Sequence, residues 1–310
     1  MSTAAQSGRI APALGPRGLP RLDRTLVMGI VNVTPDSFSD GGRWFDPDRA
    51  VAHGLALLEQ GADILDVGGE STRPGATRPA IEEELRRVLP VVRALAAAGA
   101  KVSVDTMRAE VAARAVEEGA ALVNDVSGGL ADPEMLPLVA RTGTPYVVMH
   151  WRGHSDGMQA HAVYDDVVTD VVGELRSRVE AALRAGIAPD RLIVDPGLGF
   201  AKHAEHNWQL LGRLREVTAA LGRPVLVGAA RKTFLGHLLR DPVTGRPRPA
   251  HLRDAATSAV SVLAAAQGAW CVRVHDVAST ADAVRVAARW GLENAPRAAA
   301  DAPVLRGSQL

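Results

Sequence analysis

Along this chain, short apolar runs alternate with longer stretches in which apolar residues return every three or four positions. The runs lie at 26–31, 64–67, 102–104, 122–123, 146–149, 192–194, 225–227 and 271–274, and each reads as a buried strand. The stretches between them read as amphipathic helices. Gly61, Gly99, Gly119, Gly143, Gly186, Gly222 and Gly268 each end a helical stretch just before the next apolar run. Such a position takes a left-handed conformation that a Cβ resists. Asp46-Pro47 and Asp132-Pro133 are helix starts, an N-cap acid followed by proline at the first helical position. Val51, Leu55 and Leu58 predict one buried stripe. Ile81, Leu85, Val88, Val92 and Leu95 predict another, on a helix that Pro90 should kink. Eight strand–helix units predict an α/β protein, a single (β/α)8 TIM barrel with long loops after strands 1 and 2. A doubly wound sheet is the rival, but Asn32-Val33-Thr34-Pro35 follows the first strand where a G-x-G-x-x-G would stand.

The barrel is expected over residues 25–293, between a flexible tail at 1–24 and a second tail at 294–310. The Pro/Arg-rich segment 241–253 reads as an extended loop after strand 7. An apolar fraction of 47% supports a large core, and 310 residues suit one large barrel. Thirty-five basic residues balance thirty-five acidic ones, which argues against a partner such as nucleic acid or a membrane surface. No stretch is long and apolar enough to predict a spanning helix or a secretory signal. A single cysteine, Cys271, permits no internal disulfide and fits a reducing, cytoplasmic compartment.

A parallel barrel presents its chemistry at the carboxyl ends of its strands. Here those ends carry Asn32, Asp66, Asp105-Thr106, Asn124-Asp125, His150, Asp195, Arg231-Lys232, and Arg273 with His275-Asp276. One polar residue at a strand end means little, but eight would surround one mouth. They sort into two subsites. Asp105, Asn124 and Asp195 are rich in acceptors and suit a heterocycle with adjacent ring N–H and amino donors. Arg73, Lys232, Arg273 and His275 are donors which, with Asn32, suit a phosphate. Only three of the thirty-five basic residues are lysines, Lys101, Lys202 and Lys232, so a retained lysine suggests a need for a compact cation. The polar loops at 34–42 (TPDSFSDGG) and 68–76 (GGESTRPGA) are placed to close over a substrate. Asp195-Pro196-Gly197-Leu198-Gly199-Phe200 reads as a tight turn that brings Phe200 to the mouth as an apolar wall. His203 and His206 lack the partners of a zinc site and read as exposed helix residues, with His154 and His161 solvated in the loop after strand 5. No phosphate-binding G-x-x-x-x-G-K-[ST] loop occurs.

The segments at 28–42 (MGIVNVTPDSFSDGG) and 66–75 (DVGGESTRPG) closely resemble the two signature loops of the dihydropteroate synthases. The resemblance continues through 104–106 (VDT), 124–129 (NDVSGG), 195–200 (DPGLGF), Arg231-Lys232 and 273–276 (RVHD), in order, from about residue 25 to 290. It implies an enzyme that joins 7,8-dihydropterin-6-ylmethyl diphosphate to p-aminobenzoate, releasing pyrophosphate, and that sulfonamides would target. It further implies that Asp105, Asn124, Asp195 and Lys232 hold the pterin. Asn32, Arg73, Arg273 and His275 would hold the diphosphate with Mg²⁺, Asn32 touching the metal. Thr72, Pro74, Phe38, Phe200 and Thr233 would shape the aminobenzoate site, and Met149 is counted among the substrate contacts. Asp40 would stabilise a pterin carbocation left when pyrophosphate departs, and a homodimer would be expected. Asp40, Lys232, Arg273 and His275 are thus the expected catalytic residues.

The sequence departs from the family at Ala230, where serine is common, and at Thr233, where serine is frequent but a hydroxyl is preserved. Two other readings compete. A pterin-binding methyltransferase would share the acceptor pocket without needing the diphosphate subsite or the two loops. A silent paralogue would be expected to lose Asp40, Arg73 or Lys232, and all three are present.

Overall fold

The computed structural model describes residues 15–34, 46–70, 78–154 and 157–293. Eight parallel strands alternate with helices: β1 (Leu26–Asn32), β2 (Ile64–Gly68), β3 (Val102–Asp105), β4 (Leu122–Asp125), β5 (Tyr146–Met149), β6 (Leu192–Asp195), β7 (Leu226–Val227) and β8 (Cys271–Val274). The helices are α1 (Pro47–Glu59), α2 (Ile81–Ala97), α3 (Ala109–Glu117), α4 (Met135–Thr142), α5 (Val167–Arg184), α6 (Ala204–Gly212), α7 (Leu214–Leu221), α8 (Thr233–Leu238), α9 (Asp254–Ala266) and α10 (Val277–Glu293). The sheet order is β6-β5-β4-β3-β2-β1-β8-β7. A parallel bridge from Val194 to Val225, with Val194 N–H donating to Pro224 O at 3.0 Å, joins the last two strands into a ring. This is the (β/α)8 barrel, and the doubly wound alternative is excluded.

Strand residues alternate between two surroundings. Val27, Val31, Leu65, Val67, Val102, Val104, Val123 and Val148 face the helices in one large core. Leu26, Met28, Ile64, Leu122, Val147, Ile193, Leu226 and Cys271 face inward and fill the lower barrel, together with Leu19 and Trp270. Residues 15–24 therefore belong to the packed structure. Leu19 is buried, Arg24 pairs with Asp63 at 2.7 Å, and Gly15 lies so close to Trp270 that a Cβ there would meet the indole. The residues from 294 onward lie outside the described ones.

All seven helix-ending glycines have positive φ, from 58° at Gly222 to 104° at Gly119. Asp46 caps α1 by accepting from the Asp48 and Arg49 N–H groups. Several local expectations are corrected. The buried stripe of α1 is Ala50, Gly54 and Leu57, one residue round from the predicted face, and Leu55 is exposed. Gly54 is the reason, because a Cβ there would sit 2.9 Å from both Leu95 methyls, so α1 and α2 meet along this line. α2 continues through Pro90, whose missing N–H leaves one carbonyl of the preceding turn without its helical donor. α2 also buries Glu84 completely, which accepts from Thr106 Oγ1 at 2.6 Å and Arg108 Nη1 at 2.9 Å. Asp132 lies before α4 and accepts from Glu134 N–H, while its other oxygen accepts from Ala109 N–H at the start of α3. Segment 241–253 separates α8 from α9 instead of following β7 directly. None of the described helices is long and apolar enough to cross a membrane.

Candidate active site

The inward alternation that fills the lower barrel with apolar residues continues to the carboxyl ends. There the same side of each strand carries Asn32, Asp66, Asp105, Asn124, Met149, Asp195 and Arg273. Register puts Asp105 beside Asn124 and Gly68, and Met149 beside Asp195. Thr106, Asp125, His150 and Arg231 in the strand-end motifs turn away from the mouth. Asp125 faces the helix layer, where it accepts from Ser127, Gly129 and Tyr146, so it holds the β4 turn. Arg231 takes a left-handed φ of 51° and pairs with Asp254 at 2.6 and 2.7 Å, leaving Lys232 to face the mouth. Asp276 accepts from the Ser279 N–H at the start of α10.

Arg273 joins the acceptor group into one network. Its Nε donates to Asp66 Oδ2 at 2.6 Å and its Nη2 to Asp105 Oδ2 at 2.7 Å. Asn124 Nδ2 donates to the same Asp66 oxygen at 3.0 Å, while the buried Asp66 Oδ1 has no hydrogen-bond partner among the described residues. The donor and acceptor subsites predicted as neighbours therefore share Arg273. Burial pushes the Asp105 carboxyl up to about 7, with Arg273 opposing and Asp66 reinforcing the rise. Burial works against the Arg273 charge, but Asp66 and Asp105 outweigh it and raise its pKa.

Lys232 stands on the other side of the mouth with Asp195. Burial lowers its ammonium to about 8, and Asp195 opposes that fall. Asp195 is raised by burial, opposed by Lys232 and by the Gly197 N–H it accepts at 2.7 Å. Gly228 lies beside both, and a Cβ there would make ordinary contact at 3.7 Å from Asp195 Oδ2 and 4.0 Å from Lys232 Nζ. Lys232 Nζ donates to Leu198 O and lies 4.7 Å from the centre of the Phe200 ring. Met107, Val126 and Met149 form a small apolar cluster with Phe200 against it. An apolar surface beside buried carboxylates and an amide can take a flat, donor-rich heterocycle.

Asn32 and His275 are partly buried at the rims of β1 and β8, and Thr233 is exposed as the first residue of α8. Phe38, Asp40, Thr72, Arg73 and Pro74 lie outside the described residues. His203 and His206 stand at the start of α6, where the His203 N–H donates to His206 Nδ1. His154 and His161 are exposed. Met107, Val126 and the full part played by Asp66 escaped the sequence reading. Strand alternation could have found Asp66, because it shares the inward face with Ile64 and Gly68. His150, expected at the mouth as the end of strand 5, is corrected: it is buried behind the rim between Lys202 and Glu174. The role of Lys202 there had no sequence signal beyond the scarcity of lysine.

Comparison with known proteins gives this geometry its family. Residues 28–275 match the family described as pterin binding enzyme. The dihydropteroate synthase of Mycobacterium leprae (strain TN) is 54% identical over 265 residues, covering 85% of this chain and 93% of that protein. The Yersinia pestis dihydropteroate synthase, solved with a sulfonamide drug complex, superposes with a TM-score of 0.82 at 43% identity, over 89% of this chain and 98% of its own. The Xanthomonas albilineans enzyme in complex with 7,8-dihydropteroate gives a TM-score of 0.76 at 45% identity, over 88% of this chain and 95% of its own. The fold and its mouth thus define a pterin-binding barrel enzyme. Within that class, the chain belongs to the dihydropteroate synthase family.

Proposed function

We propose that this chain condenses 7,8-dihydropterin-6-ylmethyl diphosphate with p-aminobenzoate, giving 7,8-dihydropteroate and pyrophosphate. The observation that carries this reading is one inward rim holding Asp66, Asp105, Asn124, Asp195, Lys232 and Arg273 beside an apolar slot. Asp105, Asn124, Asp195 and Lys232 bind the pterin edge-on, and Met149 and Phe200 pack against bound substrate. Asp105 accepts best as the carboxylate, which predominates above about pH 7. Arg273, His275, Arg73 and Asn32 hold the diphosphate. The donors strengthen their contacts as the C–O bond breaks and its electron pair moves onto the leaving oxygen. Asp40 stabilises the methylene cation that remains. The arylamine lone pair then forms the C–N bond and the nitrogen sheds its proton. The amine is neutral at pH 7, so no strong base is needed, and Asp105 and Asp195 serve recognition. Thr72, Pro74, Phe38, Phe200 and Thr233 surround the aminobenzoate, where a sulfonamide would compete.

Among the described residues no cluster of three metal-ligating His, Cys, Asp or Glu side chains occurs. The Asn32 amide, partly buried at the end of β1, offers one neutral oxygen, which suits an ion held mainly by substrate phosphate oxygens, as Mg²⁺ commonly is. Asn32 would supply one oxygen to Mg²⁺, which when bound would neutralise charge on the departing diphosphate. We further propose a homodimer in the cytoplasm. Exposed Leu263 on α9 and Val286 and Trp290 on the adjoining α10 support the dimer, and the free, buried thiol of Cys271 suits a reducing compartment. Light scattering that returns the monomer mass at micromolar concentration would remove the dimer.

The test of function is an assay for pyrophosphate release. Release should require both substrates and be blocked by a sulfonamide competitively with p-aminobenzoate. Pterin diphosphate binding without product would favour a silent binding protein instead.

A further inference from the structure

β6 runs into a turn, residues 196–202, with three left-handed positions: Gly197 (φ 68°), Gly199 (φ 79°) and Ala201 (φ 47°). Glycine takes this conformation freely, but Ala201 carries a Cβ and needs support from its surroundings. That support comes from behind the turn. Lys202 is buried, and its Nζ donates to Phe200 O at 3.0 Å and to His150 Nδ1 at 2.9 Å. Tyr164 Oη donates to Ala201 O at 2.9 Å. With Nδ1 accepting, the His150 proton sits on Nε2, 3.0 Å from Glu174 Oε2, and Arg152 holds the same carboxylate. Burial, aided by the neighbouring Lys202, lowers His150 to about 4, which keeps the imidazole neutral and able to accept. Burial and Lys232 lower Lys202 itself well below the ordinary lysine range, with Asp195 opposing. Packing allows little slack, since a Cβ on Gly197 would collide with His150 O.

The front of the turn touches the mouth. Leu198 O accepts from Lys232 Nζ, the Phe200 ring lies 4.7 Å from that nitrogen, and a Cβ on Gly199 would press on the Lys232 stem at 2.9 Å. Two of the chain's three lysines therefore meet across one turn, one on each side.

We propose that Lys202 is a positioning residue. From behind the pocket wall its Nζ–H donors fix the 196–202 turn and so set the Phe200 ring and Lys232 against the substrates. This rests on the reading of Phe200 and Lys232 as substrate contacts. Its test combines hydrogen exchange of the free protein with steady-state kinetics on Lys202→Met, which keeps length and apolar bulk but removes the Nζ donors. The Gly199 and Phe200 amides, which donate to Asn207 Oδ1 and Gly197 O, should exchange at least about tenfold faster, with β5 and β6 unchanged. KM for p-aminobenzoate should rise about tenfold, and combination with Phe200→Ala should add nothing, as expected of residues acting as one unit. Unchanged exchange overturns the proposal, and so does an additive double variant. If Phe200→Ala alone leaves KM unchanged, its substrate contact is what fails, and the exchange result still decides whether Lys202 holds the turn. Should Lys202→Met not fold, Tyr164→Phe removes the neighbouring bond to Ala201 O. Faster exchange at the same two amides with a raised KM then supports the proposal, and no change in either overturns it.

Discussion

The two ends of this barrel use the same strands, and the same side of each, for opposite purposes. At the amino-terminal end the inward positions are Leu26, Ile64, Leu122, Ile193, Leu226 and Cys271, closed from below by Leu19 and Trp270. At the carboxyl end, about two residues further along each strand, they are Asp66, Asp105, Asn124, Asp195 and Arg273. The lower layer gains hydrophobic and dispersion energy from burial. The upper layer keeps charges partly out of water, with Asp105 pushed up to about 7 and Lys232 down to about 8, which is unfavourable without a ligand. A sealed end thus supplies stability that lets the open end hold groups poised for a charged, flat substrate.

That contrast can be broken at either end. Lys232→Ala, at the open end, should lower kcat/KM by about 10³-fold or more, the loss typical of a group that holds developing charge or orients substrate, and leave the far-ultraviolet circular dichroism unchanged. Near-normal kinetics would remove Lys232 from the pocket. Trp270→Ala, at the closed end, should do the reverse. It should cost about 3–5 kcal/mol of stability by opening a cavity, visible as a lower Tm, while KM for both substrates stays as in the parent at 20 °C or so. A large KM change would mean that the two ends are not independent.

A smaller effect sharpens the account of the open end. Asp105 accepts as the carboxylate, above about 7, and Lys232 donates as the ammonium, below about 8. kcat/KM should therefore rise towards pH 7 and fall above pH 8, a narrow bell set by the free enzyme. A profile flat from pH 6 to 9 would contradict both assignments. The smallest effect belongs to the outer shell. Asp46→Ala removes the α1 cap and should cost about 1 kcal/mol with no change in turnover, and thermal melts beside a standard assay would measure both.

The apolar runs and the glycines were enough to read eight strands and their order of connection, because strand burial and the left-handed helix end act through neighbouring residues. Asp105, Asn124, Asp195 and Arg273 were legible as residues of the carboxyl-end rim for the same reason, each standing at the end of a recognisable strand. Other features were not legible locally. Asn124 and Asp125 are adjacent and chemically similar, yet one faces the mouth and the other anchors a turn through Tyr146. Arg231 and Lys232 divide in the same way, because a left-handed residue turns the chain between them. Glu84 looks like a solvent residue of α2 until Thr106 and Arg108 arrive from another unit to meet it.

The sequence alone determined the secondary structure, the barrel, and which strand ends carry polar chemistry, since these follow from local periodicity and backbone preference. Only the tertiary structure decided which of those side chains meet. The Arg273 pairs with Asp66 and Asp105 span 207 and 168 residues, and the lysine behind the Phe200 turn finds His150 across 52. Contacts over such separations depend on the ring closing in one register, and nothing adjacent in the chain encodes that.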